Sequence, residues 1–326
     1  MLSGLLRGRQ GAVLPSSATF VNVFANDWEP ISPGQGSTDL KGEGIEMKAP
    51  ASEEQVKLWR LPELGHLELM HATYVTQTFP RHTHEGFGVG VIERGALGFY
   101  YRGENVVASP GVISLVNPGE VHTGYAAEES GWTYRMFYFE TPLLQQAASQ
   151  IAGRPKDLPF FQAGVIRDDD LAGSIHSLHV GLAKDGRSAL EKESRLLWML
   201  AHLITRHADA PPPLRTLGRE RKRVKRAREY MEAHFHEDIS LNRLASLAHL
   251  SPFHFVRVFR KELGLPPHTY LTQVRVNRAK ALLAKGGKIA DTALETGFVD
   301  QSHLTRHFKR ITGVTPGQYR KIVQDF

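Results

Sequence analysis

The chain has 326 residues, which is enough for two or three domains with their own cores, and its hydrophobic share of 41% is that of an ordinary globular protein. No apolar run approaches the roughly 18 residues that a membrane-spanning helix needs, so we expect no membrane helix. The chain has no cysteine, which excludes disulfides, thiolate zinc sites and a cysteine nucleophile. The absence of cysteine also fits a reducing compartment, and we predict a cytoplasmic protein.

Charge is divided unevenly along the chain. Residues 214–326 hold 22 Lys and Arg against 10 Asp and Glu, which gives a net charge of +12, whereas the whole chain carries +6. The first 213 residues therefore carry a net charge of −6. A basic C-terminal part of this strength predicts a polyanionic partner, and nucleic acid is the first candidate.

The first two segments differ in pattern. Residues 1–50 are rich in Gly, Ser and Pro and show no sustained period, so we predict a disordered extension. Residues 51–140 contain short segments rich in β-branched and aromatic residues, such as FGVGVIERG and WTYRMFYFE. Turn signals separate these segments at intervals of about ten residues. Short strands at regular intervals predict a β-sandwich or barrel.

The pattern becomes helical in residues 141–209. The stretch SALEKESRLLWMLAHLITRHA carries an apolar stripe that consists of Leu190, Leu197, Leu200, Leu203 and Ile204. Two roles are open for this stripe: packing against the β region, or pairing with a second copy of the chain. The sequence APPP at 210–213 then predicts an extended linker, which we assign to residues 210–216.

One basic segment occurs twice in the C-terminal part. HFVRVFRKELGLPPHTY begins at His254, and HLTRHFKRITGVTPGQY begins forty-nine residues later at His303. Each copy follows a short amphipathic segment, which predicts two helix-turn-helix units joined by a helix over 269–284. Ser251 and Asp300 are the predicted N-caps of the second helices. His249 lies at the first turn, where a positive φ is needed, and Gly264 ends the helix.

Helical period places one face of each repeated helix outward. The outward residues are Phe253, Val256, Arg257 and Arg260 in the first copy, and Gln301, Ser302, Thr305 and Arg306 in the second. Arginine can read guanine, glutamine can read adenine, and an apolar side chain can contact the methyl group of thymine. Two such helices on one surface predict binding in successive major grooves of double-stranded DNA.

Two stretches within residues 239–320 are LASLAHLSPFHFVRVFRKELGLPPHTYL and DTALETGF.DQSHLTRHFKRITGVTPGQYR. With these stretches, the segment resembles the AraC/XylS transcriptional regulators. The resemblance implies a DNA-binding domain over 217–326 with base-reading positions at Phe253, Val256 and Arg257. In the second unit it implies the same role for Gln301, Ser302, Thr305 and Arg306. It also implies a promoter or operator as the DNA partner, a homodimer, and contact with RNA polymerase. Val256 departs from the family because it is unusually apolar for a reading position.

The motifs PRHTHEGFGVGVIERG and NPGEVHTGY resemble a cupin barrel, which is the sensor domain of many such regulators. His82, His84 and His122 have the residue type and spacing of metal ligands. However, Gly88 stands where the cupin pattern has a carboxylate, so we predict a pocket without metal or cofactor. The predicted ligand-binding residues are His82, His84, Phe87, Tyr101, His122 and Arg135. Arg135 is also interpretable as an edge-strand charge.

The sequence therefore predicts a multidomain α+β protein, with an N-terminal cupin-like β-barrel and following helices, and a C-terminal all-α unit of two helix-turn-helix subdomains. The predicted function is a DNA-binding transcription regulator that responds to a small molecule of unknown identity, and not an enzyme. Two alternatives stay open: a metal-dependent cupin enzyme with an accessory DNA-binding domain, and an architectural DNA protein without a ligand. Stoichiometric metal in the purified protein would favour the enzyme.

Overall fold

The computed structural model describes residues 54–183, 188–214 and 220–324. The predicted disordered extension, residues 1–50, and the end of the predicted linker lie outside these ranges. The described strands are β1 Gln55–Leu61, β2 Leu67–Tyr74, β3 Phe79–His82, β4 Phe87–Gly95, β5 Leu97–Tyr101, β6 Glu104–Ala108, β7 Ile113–Val116, β8 His122–Ala126, β9 Trp132–Phe139 and β10 Val165–Ile166. The described helices are α1 Thr141–Ala152, α2 Asp169–Leu182, α3 Ala189–His207, α4 Arg221–Ala233, α5 Leu241–Leu247, α6 Pro252–Leu263, α7 Pro267–Ala284, α8 Ile289–Glu295, α9 Gln301–Thr312 and α10 Pro316–Gln324.

The strands form two antiparallel sheets, as the alternating pattern predicts. One sheet has the order β1-β2-β9-β4-β7-β10, and the other has the order β3-β8-β5-β6. Apolar side chains from both sheets meet between them, among them Ile92 of β4, Phe99 of β5 and Trp132 of β9. Because side chains alternate along a strand, the other face of the six-stranded sheet is free to pack against helices.

Helices α1, α2 and α3 cover that outer face. Val89 and Val91 of β4 share a buried core with Leu144 of α1, Leu178 of α2 and Leu203 of α3. β4 is therefore apolar on both faces, which is why FGVGVIERG shows no clean alternation. The segment 141–209, which is predicted to be helical, also contains the short strand β10, and β10 pairs with β7 at the edge of the sheet.

The apolar stripe of α3 is divided between two cores. Leu200, Leu203 and Ile204 belong to the core under the six-stranded sheet, whereas Leu190 belongs to the core of the first helix-turn-helix unit. Leu197 packs against both cores. The stripe is therefore covered within the chain, which favours packing over dimerisation as its role.

The C-terminal region contains the two predicted helix-turn-helix units, α5–α6 and α8–α9, with α7 between them. The hydroxyl of Ser251 accepts a hydrogen bond from the amide of His254, and the carboxylate of Asp300 accepts one from the amide of His303. His249 has the predicted positive φ of 52°, and Gly264 ends α6 with φ 76°. The predicted caps of both units and the predicted turn residues of the first unit are thus confirmed.

Candidate functional site

The second recognition helix, α9, presents its predicted reading face to solvent. Gln301, Ser302 and Arg306 are exposed and Thr305 is partly exposed, while Leu304 and Phe308 lie in the core of the second unit. The helix begins directly at the Asp300 cap. Four side chains with hydrogen-bonding groups therefore project from the N-terminal half of α9.

The first recognition helix, α6, is covered on the corresponding face. Phe253 and Val256, which are predicted to face outward, are each only 4% exposed. Phe253 belongs to the core that includes Ala147 and Ile151 of α1, and its amide donates a hydrogen bond to Oε1 of Gln150 over 3.3 Å. The predicted outward orientation is therefore wrong for both residues: α1 packs against Phe253, and Val256 belongs to the same buried cluster as Phe255.

Helix α3 covers the next turns of the same face. Val256 shares a buried cluster with Leu190, and Trp198 packs against that cluster. The guanidinium of Arg260 lies over the ring of Trp198, at 5.6 Å from its centroid. The guanidinium of Arg257 lies over Phe253, also at 5.6 Å. All four predicted DNA-binding residues of α6 are therefore engaged within the chain.

Polar contacts also join α3 to the C-terminal region. The carboxylate of Glu193 accepts a hydrogen bond from the amide of Leu241, the first residue of α5, over 2.5 Å. The amide of Ala189, at the start of α3, donates to the carboxylate of Asp238 over 3.0 Å. Helix α3 thus belongs to the core of the β region and is hydrogen-bonded to the first helix-turn-helix unit.

A second contact joins α3 to α9. Glu191 of α3 and His303 and His307 of α9 each bring a possible ligand atom within 4.8 Å of the others. Burial lowers the pKa of His303 to about 4, with a further contribution from Arg306, and burial with the neighbouring His303 lowers the pKa of His307 to about 3. Both imidazoles are therefore neutral near pH 7, and this cluster lies beneath the exposed reading face.

Three predicted site residues of the β region come together as expected. His82 ends β3, His84 follows it, and His122 begins β8; their ring centroids lie between 4.2 and 4.9 Å apart. His82 and Tyr101 are both register partners of His122 across β3, β8 and β5, so the three side chains share one face. Tyr101 belongs to the core between the sheets, and the histidines therefore lie on the interior side.

The pKa values of two of these histidines are lowered. Burial, together with the nearby His122 and His82, lowers the pKa of His84 to about 4. Burial also lowers the pKa of His122, although a hydrogen bond to the carbonyl of Glu120 opposes the shift. The ring of Tyr138, which the sequence does not identify as a site residue, lies 5.4 Å from that of His84.

Two predicted pocket residues lie elsewhere. Phe87 packs on the outer face of the six-stranded sheet, edge-on to Phe161 at 5.9 Å. Arg135 faces the same side, where its Nε donates to Glu93 over 2.5 Å and Nη1 lies 3.4 Å from Nδ1 of His179. Placing them in a pocket with the histidines is therefore wrong, because their positions on β4 and β9 have the opposite parity.

Glu93 is the centre of a polar network that sequence reasoning misses. Its carboxylate also accepts hydrogen bonds from His71 of β2 over 2.9 Å and from His176 of α2 over 2.8 Å. Burial alone would raise the pKa of Glu93, but the bonds from His176 and Arg135 outweigh it and hold the pKa at about 2. The network ties α2 to the sheet.

Two family models match the chain. Residues 64–201 match an AraC-like ligand binding domain, and residues 244–322 match a helix-turn-helix domain. Within the described residues, no helix is both long and apolar enough to span a membrane.

Several known proteins are similar to this chain. An uncharacterised HTH-type transcriptional regulator of Bacillus subtilis, YbfI, is 33% identical over 73% of this chain and 86% of its own length. The arabinose operon regulatory protein of Salmonella typhimurium is 28% identical over 72% of this chain and 84% of its own length. Among solved structures, the DNA-binding domain of AdpA in complex with a target DNA is 29% identical, with 31% of this chain and 93% of that domain covered and a TM-score of 0.30.

Proposed function

The chain belongs to the AraC/XylS family and is a DNA-binding transcription regulator with an AraC-like ligand-binding domain. From this premise we propose that a small molecule bound in the β region controls access to the first recognition helix. The observation that carries the proposal is the asymmetry between the two reading faces. The face of α9 is open to solvent, whereas Phe253 and Val256 of α6 are buried by α1 and α3.

In this proposal the chain exists in a closed and an open state. The closed state is the one described above, in which α6 cannot enter a major groove because α1 occupies its reading face. An effector that binds the open state more tightly shifts the population toward it, and DNA containing both half-sites does the same. Helix α3 is suited to transmit the change, because it contributes to both cores.

The open state would present both recognition helices to DNA. Phe253, Val256, Arg257 and Arg260 would then enter one major groove, and Gln301, Ser302, Thr305 and Arg306 the next. Exposed basic residues further along α9, such as Lys309 and Arg310, would contact phosphate. The net charge of +12 on residues 214–326 would supply the non-specific part of the affinity.

The remaining partners follow from the family. We propose that the protein acts in the cytoplasm as a homodimer at promoter or operator sites, and that it contacts RNA polymerase there. Because α3 is covered within the chain, the dimer would use another surface. The relatives named above are transcriptional regulators rather than enzymes, and we propose no catalytic role.

Arg306→Ala tests the reading role of α9. Arg306 is exposed, and in the proposed complex its guanidinium bonds a guanine edge. Its loss should therefore cost about 1–3 kcal/mol at the specific site and relax the base preference at one position. The measurement is competition binding on sites selected from random duplexes, with the full chain.

Lys309→Ala is the matched control, because Lys309 lies one turn further along α9 and is also exposed. We expect it to weaken binding to selected and random DNA alike, since a phosphate contact carries no base information. An equal loss on both kinds of DNA for Arg306→Ala would show that Arg306 is a phosphate contact.

A further inference from the structure

The N-terminal half of α3 contacts both helix-turn-helix units. Leu190 belongs to the core of the first unit, and the carboxylate of Glu193 accepts a hydrogen bond from the first amide of α5 over 2.5 Å. Glu191, between these two residues, lies beside α9 of the second unit. Its carboxylate and one nitrogen of each of His303 and His307 lie within 4.8 Å of one another. Neighbouring positions of α3 therefore contact two different DNA-binding units.

The hydrogen bonds of the two imidazoles determine which nitrogen carries the proton. The amide of Val299 donates to Nδ1 of His303 over 3.4 Å, and Nη2 of Arg310 donates to Nδ1 of His307 over 3.0 Å. An amide N–H and a guanidinium only donate, so each Nδ1 is an acceptor without a proton. Each ring is therefore neutral with its proton on Nε2, and Nε2–H is the group that each ring can offer to the carboxylate of Glu191.

The carboxylate of Glu191 is suited to accept both protons. Its side chain is only 12% exposed, and His303 and His307 are each 6% exposed. Nη1 of Arg195, one turn further along α3, lies 3.3 Å from Oε1 of Glu191. An ionised carboxylate can accept about four hydrogen bonds, so it can bind Arg195 and both imidazoles at once. Because water hardly reaches this contact, loss of the carboxylate would leave two buried N–H groups without their acceptor.

The reading face of α9 lies on another side of the helix from this contact. Gln301, Ser302 and Arg306 are exposed, whereas His303 and His307 are buried. The two histidines are four residues apart, so they share one face of α9. A change at Glu191 therefore alters the support of α9 without removing a side chain that is predicted to read DNA.

Helix α7 joins the two units through their cores. Leu271 of α7 belongs to the core of the first unit, and Val276 and Leu283 belong to that of the second, so we expect the units to move as one body. Helix α3, in contrast, is anchored in the β region by Leu200 and Leu203. When α6 leaves α1 and α3, α9 therefore leaves α3 as well.

We infer that Glu191 is a lock on the closed state: it accepts hydrogen bonds from Nε2 of His303 and His307 and so holds the second unit against α3. The open state gives up these bonds, so the lock adds to the free energy that an effector or DNA must supply. Removing the lock shifts the population toward the open state without an effector. The effect on DNA binding rests on the proposed function, whereas the contact itself does not.

Glu191→Ala and His307→Phe test the lock from its two sides in the full chain. Without an effector, each should raise the affinity for selected DNA by about 10-fold, which is a typical size for coupling between two sites. The double variant should bind no more tightly than the tighter single variant, because both changes act on the same contact.

Ser188→Ala is the matched control. The hydroxyl of Ser188 accepts a hydrogen bond from the amide of Glu191 over 3.3 Å, so its loss weakens the start of α3 but keeps the carboxylate. We expect Ser188→Ala to bind selected DNA with the affinity of the wild-type chain. An equal rise in Ser188→Ala and Glu191→Ala would mean that fraying of α3, and not the lock, changes the affinity.

NMR of the full chain with isotope-labelled histidine, in the absence of DNA, tests the contact itself. We expect both rings to carry the proton on Nε2, with slow exchange of these protons with water that becomes faster in Glu191→Ala. His303→Phe and His307→Phe assign the two signals. The inference is overturned if either ring carries its proton on Nδ1, or if Glu191→Ala leaves the exchange unchanged.

The DNA experiment separates failure of the lock from failure of the proposed function. Unchanged affinity of Glu191→Ala for selected DNA overturns the lock and leaves the proposed function in place. Equal affinity of the wild-type chain for selected and random DNA means instead that the proposed function is wrong. Circular dichroism shows whether each variant is folded. If Glu191→Ala is unfolded, Glu191→Gln replaces it, because glutamine keeps the length of the side chain and removes its charge.

Discussion

Joining α1 to α6 with a cleavable cross-link should abolish sequence-specific DNA binding, and cutting the link should restore it. Gln150 of α1 contacts the first turn of α6 through its bond to the amide of Phe253. The chain has no cysteine of its own, so Gln150→Cys with Pro252→Cys gives one defined pair for a reducible bis-maleimide. The linked chain keeps α9 available but holds α6 in the closed state.

The expected loss of affinity for selected DNA is about 100-fold or more, because base contacts worth about 1–3 kcal/mol each disappear with α6. Binding to random DNA should change much less, since most basic residues remain exposed. The matched control is Gln146→Cys with Gln150→Cys, which places the same linker across one turn of α1 and leaves α6 free. If the affinity for selected DNA were the same before and after reduction of the α1–α6 link, the claim that the closed state is inhibited would be contradicted.

Arg275→Met should destabilise the C-terminal region by about 3–5 kcal/mol. Arg275 of α7 is only 4% exposed, and it donates to the carbonyl oxygens of Phe235 over 2.7 Å and Glu237 over 2.8 Å. Burial lowers its pKa to about 10, although Asp238 opposes the shift, so the guanidinium stays charged. Methionine fills much of the volume but leaves both buried carbonyls without their donor.

Urea unfolding of the full chain, followed by circular dichroism, measures this effect. The matched control is Arg278→Met on the same helix, because Arg278 is exposed and lies over Phe235 at 5.2 Å from its ring centroid. That contact is worth roughly 0.5–1 kcal/mol at an exposed site. If Arg275→Met lowered the free energy of unfolding by less than about 1 kcal/mol, the 235–237 turn would be held by other contacts.

Local signals in the sequence predict much of the fold. Ser251, Asp300 and Gly264 have roles that depend on only a few neighbouring residues, and each occupies its predicted place. The β strands follow from short runs of β-branched and aromatic residues between turn signals, and β4 and β9 begin and end within about one residue of the quoted motifs. These features need no knowledge of distant contacts.

Features that depend on distant partners are predicted less well. The period of α6 correctly places Phe255 and Val258 in the helix-turn-helix core. It cannot reveal that α1, about one hundred residues earlier, buries Phe253 on the other side. Arg275 is missed for the same reason, because its two acceptors lie in a turn forty residues away.

The pocket prediction failed in part through strand parity. Phe87 follows the first histidine motif closely in sequence, and Arg135 lies among aromatic residues of β9. Both side chains nevertheless point to the helix-covered face. Parity could have been read from β9 itself, because Tyr134 and Met136 face the interior and Arg135 lies between them. The same rule would have identified Tyr138 as a residue that faces the interior.

The central claim is that α6 is closed against α1 in the free protein and leaves it on specific DNA. Spin labels at Gln146→Cys and Lys261→Cys, both at exposed positions on α1 and α6, report the separation of the two helices. We predict one narrow distance distribution for the free chain and a clearly longer one on selected DNA, while random DNA leaves the distance unchanged. The same narrow distribution in the free and specifically bound protein would contradict the account.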